Sequence, residues 1–232
     1  MNPLHSVIIV FEEIFTEVYD CLILNPHKGI SAFIVERGTE GFGVGAKEDK
    51  LGIRSSDTAT LEMDNTYVGP EALLGEYNRG FYDALAVLER ARIGVAAQAL
   101  GIARAALEES ITYANERETF GKPIARHQAV QFMLADMATG IEAARLLTRD
   151  AAMALDRGED ARMKGSIAKV FASEVAMQAT INAVQIHGGA GCTKDFPVER
   201  YMRDAKVVEI GEGTSEIQRM VIARELLKSG AA

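Results

Sequence analysis

Cysteine is scarce: Cys21 and Cys192 are the only two in 232 residues. Two thiols so placed supply neither a disulfide framework nor a zinc-binding spacing, and a reducing compartment is the simpler expectation. Long apolar runs are scarce as well. The longest near the start is Val7–Phe11, closed off by Glu12 and Glu13. It is too short to cross a membrane, and with no basic stretch before it a signal peptide is not expected. Positive charge is in deficit: 25 Lys and Arg stand against 33 Asp and Glu, for a net charge of −8. A duplex nucleic-acid binder needs a basic face, so that class is set aside. A local basic groove for a phosphorylated ligand stays compatible. No P-loop, Gly-x-Ser-x-Gly or paired Cys-x-x-Cys occurs. The four histidines form no Glu-x-x-His arrangement, and no metal is expected.

What is present is an ordinary globular balance, 48% apolar and 25% charged, which excludes wholesale disorder. The length suits one large domain or two small ones, either able to bury a core without staples. The pattern changes near residue 75. Ser31–Glu36 is a compact apolar run between Gly29 and Gly38, and Thr58–Met63 mixes β-branched and apolar residues; both read as strands. The stretch before His27 reads as either a strand pair or a helix. After Gly80 the apolar period lengthens to three and four. One helix is expected over about Gly80–Asn115, with a stripe of Leu85, Leu88, Val95, Ala99, Ile102 and Ala106. A second follows Pro123, a third starts near Ala161, and a fourth contains Ile217 to Leu226. Four amphipathic helices of this length should pack as a bundle. The expected fold is therefore mainly α (α+β): a β-piece over 1–78, then a C-terminal four-helix bundle over 79–232.

Some residues do not fit a plain bundle. Arg92 falls on an apolar stripe, where a charge must be paired or face a cavity; the commoner role is a structural pair, with Glu89 for instance, or a snorkelling side chain. Gly188–Gly191 follows a helix. It allows close backbone approach by a flat or anionic group, but alone it also reads as a C-cap and turn. Gln185 and His187 at that helix end are compatible with ordinary satisfied polar residues. Glu212 lies between Gly211 and Gly213, just before a helix that Thr214 or Ser215 can cap. A carboxylate desolvated on such a loop suits a general base; it equally suits a helix dipole. Glu116–Lys122 packs two cations, a hydroxyl and Phe120 into one turn, as a phosphate beside a ring system requires or as any solvated helix end allows.

Seven stretches together resemble the acyl-CoA dehydrogenase family: Gly29–Glu36, Lys50–Thr58, Arg92–Gly101, Arg117–Lys122, Ala183–Gly189, Val198–Lys206 and Gly211–Arg219. The ordered set is specific, and within the family it is most similar to the short-chain, butyryl-type branch. The resemblance implies a flavoenzyme that oxidises an acyl-CoA to the trans-2-enoyl-CoA. In such enzymes a glutamate takes the α-proton while the β-hydrogen leaves as hydride to FAD. Carried over by motif, Glu212 is the base and Arg92 orders the site beside it. Relatives that place the base on the first helix do so at the position of Ala91, which cannot titrate. Arg117, Thr119, Phe120 and Gln128 would reach the FAD of a neighbouring subunit, with Gln185, Gly188 and Gly189 lining it from the other side. Thr214 and Glu216 would sit near the adenosine half. The implied partners are an acyl-CoA, an electron-transfer flavoprotein, and further copies in a homodimer or homotetramer. Bacterial cytoplasm is the expected location, mitochondrial matrix the alternative.

Two departures from the family pattern carry weight. Gly211 replaces the usual tyrosine before the base, which implies room for branched or bulkier acyl groups. The match begins near Lys28, so the family's N-terminal helical domain and the first half of its β-domain, with their Trp-Ile-Thr segment, have no counterpart here. The chain contains no tryptophan. Besides a working dehydrogenase, completed or not by a second chain, the alternatives are an inactive truncated fragment and a non-catalytic oligomerisation module.

Overall fold

The computed structural model describes residues 6–12 and 29–230. They form two compact units, one of 55–88 with the residues up to 49, the other of 50–54 with 89 onward.

The first unit is built on short strands. β1 (Ser6–Glu12) pairs antiparallel with β2 (Ile30–Glu36), from Ser6↔Glu36 to Glu12↔Ile30. The strand option for the start of the chain thus holds over β1, while 13–28 lie outside the described residues. β3 (Phe42–Lys47) pairs antiparallel with β4 (Ala59–Met63) through a bulge between Val44 and Lys47. β5 (Leu73–Leu74) joins the other edge of β2. On β2, Ser31, Ala32 and Val35 are buried. Ser31 Oγ accepts the Asn78 N–H at 2.9 Å, and a Cβ on Gly80 would come within 2.6 Å of the Ala32 nitrogen. Glycine there lets the start of the long helix α1 (Gly80–Glu116) lie directly against the strand.

The second unit is helical. After α1, a two-residue ribbon of β6 (Glu118–Thr119) and β7 (Lys122–Pro123) turns the chain. α2 (Gln128–Asp156) and α3 (Arg162–His187) follow. The sequence pattern gave four helices; the structure has a further 13-residue helix, α4 (Val198–Ile210), before α5 (Ser215–Ser229). Gly188–Cys192 is a 3-10 segment rather than a plain turn. No helix of the described residues is long and apolar enough to cross a membrane.

α3 is the centre of this unit, packing on α2, α4 and α5. Its contact residues are small: Ala168, Ala172, Ala176, Ala179 and Ala183 are all buried. α1 joins the same core through Ile93, Ala96, Ala99, Ala103 and Ala106. Small side chains let backbones approach closely, and close packing strengthens many weak dispersion contacts. Part of the expected α1 stripe lies elsewhere: Leu85 and Leu88 are exposed, and the buried row runs through alanines. Met137 is core at 2% exposure, whereas Met153 is exposed. Lys50–Arg54 docks on α4: the Ile53 N–H donates to Asp204 Oδ1 at 2.6 Å, and Arg203 Nη1 donates to the Leu51 carbonyl at 2.8 Å. A side chain at Gly52 would run into the Arg203 backbone carbonyl.

Candidate functional site

Glu212 stands on the loop between α4 and α5. Its φ is +56° and that of Gly213 is +89°, so two consecutive residues occupy the left-handed region that disfavours side chains. Thr214 caps α5, its hydroxyl accepting the Ile217 N–H at 3.4 Å. The loop turns the Glu212 side chain inward: Oε2 is buried and has no hydrogen-bond partner among the described residues. Buried polar atoms are normally paired, so an unpaired carboxylate oxygen marks either strain or a place for a reacting group. Gly211 has φ −63° and ψ 152°, angles that any residue adopts. Among the described residues, the one atom within 4 Å of a Cβ built there is the Val207 carbonyl oxygen, at 3.4 Å.

Arg92 is buried at 8% exposure. Nη1 donates to Ser166 Oγ at 3.4 Å, and Nε has no partner among the described residues. Burial pushes the guanidinium below its ordinary pKa, while the carboxylates of Glu89 and Glu212 pull the other way. The Arg92–Glu212 interaction joins residues 120 positions apart that the motifs placed in one site. Glu89 is the neighbour that the structural reading of Arg92 named, and its charge acts on the guanidinium in the same direction as that of Glu212. Lys169, fully buried on α3, was missed. Its Nζ donates to the Glu209 carbonyl at 2.8 Å, in the last turn of α4. Desolvation lowers its pKa, with Glu209 and Glu216 opposing and Arg92 adding to the shift. Lys169 could have been found as Arg92 was, as a charge within an otherwise apolar helical repeat.

Six of the nine remaining predicted residues fall into two clefts of the helical unit. Tyr113, Arg117, Thr119, Ile124, His187, Gly188 and Gly189 line one, of about 420 Å³. Among the described residues a Cβ at Gly188 or Gly189 would meet nothing within 4 Å, so their bare backbone is open to a ligand. His187 forms one wall. It stacks on Tyr113 with ring centroids 4.3 Å apart, meets Phe196 edge-on at 5.2 Å, and holds the Ala183 carbonyl through Nδ1 at 2.8 Å. Thr119 Oγ1 lies 3.0 Å from His127 Nε2. Phe120, with φ +53°, projects from the ribbon at 95% exposure. Phe120, Gln128 and Gln185 are exposed and do not line this cleft. The second cleft, about 270 Å³, is lined by Glu174, Lys206, Glu209, Ile210, Thr214, Ser215, Glu216 and Arg219. The Glu216 carboxyl is held below the usual range first by its own backbone N–H and then by the Thr214 hydroxyl. Among the described residues the two clefts are separate.

The chain matches the family described as acyl-CoA dehydrogenase, C-terminal domain, over residues 78–227. It is 55% identical over 199 residues to an acyl-CoA dehydrogenase of Bacillus subtilis, covering 86% of this chain and 52% of that protein. It is 52% identical over 203 residues to the mitochondrial short-chain specific acyl-CoA dehydrogenase of Bos taurus, covering 88% and 49%. Among solved structures, butyryl-CoA dehydrogenase from Megasphaera elsdenii superposes with a TM-score of 0.90 at 45% identity, over 96% of this chain and 56% of that one. The chain spans about half the length of the curated relatives it matches.

Proposed function

Since this chain belongs to the acyl-CoA dehydrogenase family, we propose that it carries the helical half of a site that oxidises an acyl-CoA to the trans-2-enoyl-CoA. The observation that supports this most directly is the unpaired, buried Oε2 of Glu212 on a left-handed loop, in a side chain whose charge acts on the buried Arg92. In this reading Glu212 accepts the substrate α-proton on that oxygen. Arg92 gives one N–H to Ser166 and keeps Nε available to order a polar group beside the base.

The residues present suit FAD. The first cleft offers bare glycine backbone at Gly188 and Gly189, a wall of stacked rings, and Arg117 as a cation for a pyrophosphate. Arg117, Thr119, Gly188 and Gly189 are the proposed contacts in this cleft, with Gln185 reaching the group from outside it and Thr214 and Glu216 toward the adenosine half. FAD, when bound, supplies the acceptor for the β-hydrogen. The exposure of Phe120 supports its reaching, with Gln128, to a second copy of the chain, hence a homodimer or homotetramer. An electron-transfer flavoprotein is the proposed electron acceptor. Gly211 enlarges the acyl pocket beside the base.

The test is the visible absorption spectrum of the purified chain with and without added FAD. We expect a stoichiometric flavin band that bleaches anaerobically with butyryl-CoA, and loss of the bleaching in Glu212→Gln with the flavin band retained. A protein that stays colourless with FAD would overturn the reading and favour a helical module without activity of its own. Bleaching that survives Glu212→Gln would overturn the assignment of the base.

A further inference from the structure

We infer that Gln218, on the first turn of α5, is a positioning residue that holds the base loop in its left-handed form. The inference rests on Glu212 being the base. Gln218 is fully buried. Its side-chain Nε2 donates to the Glu212 carbonyl at 3.0 Å and to the Gly213 carbonyl at 3.1 Å. A carboxamide NH2 has two hydrogens, one for each carbonyl. The opposite orientation of the amide would set its oxygen against both carbonyl oxygens.

The physical need is specific to this loop. Residues at φ +56° and +89° present two successive, partly buried carbonyls to the Gln218 amide, and a carbonyl left unsatisfied there is costly. Gln218 answers both with one group. Its own backbone N–H donates to the Thr214 carbonyl at 3.0 Å, as part of α5. The clamp therefore ties the loop to the helix rather than to another flexible segment. The fit is close: a Cβ on Gly213 would lie 2.6 Å from Nε2, so a side chain at 213 would push the Gln218 amide from its two acceptors. Because the Glu212 carbonyl is one of the two held groups, the clamp sets the backbone from which the base projects. Misplacing a base by about 1 Å can lower a rate by about a hundredfold.

The local test needs no flavin. Glutamyl endopeptidase cuts after glutamate in chain it can draw out extended, so cutting at Glu212–Gly213 reports opening of this loop. Cutting at Glu159–Asp160, between α2 and α3, serves as the reference in the same molecule. In Gln218→Met we expect the ratio of the two rates to rise about tenfold, the scale set by two lost hydrogen bonds. An unchanged ratio overturns the clamp. If Gln218→Met does not fold, Gln218→Glu decides. A protonated carboxyl still donates one hydrogen, whereas an ionised one repels both carbonyls, so the ratio should rise as pH increases through the carboxyl titration. A ratio flat with pH in that variant overturns the clamp. In flavin-loaded protein, Gln218→Met should slow flavin reduction at saturating butyryl-CoA by about tenfold or more with butyryl-CoA affinity unchanged. Equal loss of affinity and rate would point to a merely structural residue and overturn the positioning role. Failure of the base assignment appears separately, as bleaching that survives Glu212→Gln.

Discussion

Gly211 holds backbone angles open to any residue, so its lack of a side chain is not a demand of the turn. Among the described residues only the Val207 carbonyl lies within 4 Å of a Cβ there, which leaves the direction of the side chain open for a ligand. Gly211→Tyr should therefore fold normally and narrow the acyl range. We expect rates with branched acyl-CoAs to fall about tenfold or more relative to butyryl-CoA, the scale on which a pocket discriminates small apolar groups. Competition between isobutyryl-CoA and butyryl-CoA in flavin-loaded protein checks this, and an unchanged ratio would remove Gly211 from the acyl pocket. Legibility at this scale was uneven. Arg92 stood out because a charge on an apolar repeat is improbable. Glu212 stood out because glycines flank it. Gln218 is one more glutamine on a polar helix turn in the sequence, and only burial reveals its two acceptors.

Among the elements, α4 was the one the sequence pattern did not separate. Val198, Ala205 and Val208 form its buried row, but in thirteen residues this periodicity is short and crowded by charge. The start of α3 offers a pH-dependent prediction. Asp160 accepts the Arg162 backbone N–H at 3.1 Å and Arg162 Nε at 2.9 Å. The Arg162 side chain, more than its backbone N–H, holds the Asp160 carboxyl down to about 2. The folded pKa lies below the unfolded one, so the folded state binds fewer protons between them. The contribution is present above about pH 4 and is lost as pH falls through about 2. Both side chains are about half exposed, and solvent screening limits the gain to ~1 kcal/mol or less. Asp160→Asn should lower stability by that amount at neutral pH and flatten the acid limb of stability against pH. Urea unfolding at pH 7, 4 and 2.5 measures it; equal loss at all three would contradict the linkage.

For the whole molecule, the distinctive feature is the alanine core shared by α1, α2 and α3. Cores built from small residues leave little room for growth, and overpacking typically costs about 1–3 kcal/mol. Ala103→Leu, at a fully buried α1 position, should lower the melting temperature by several degrees. Ala97→Leu, on an exposed face of the same helix, should change stability by less than about 0.5 kcal/mol. Calorimetry of the two variants compares them, and similar melting temperatures would mean the core is looser than its burial indicates. The sequence by itself determined the helical class, the turn of character near residue 75, and the family, because periodicity, glycine placement and ordered motifs are properties of the linear chain. Tertiary structure alone decided which face of each helix is core, since alanine spaced at three and four marks several faces at once. It alone brought Lys169 to the carbonyl of Glu209, forty residues further on. Hydrogen-bond partners across forty residues of chain depend on how helices cross, and that depends on packing, which no local pattern encodes.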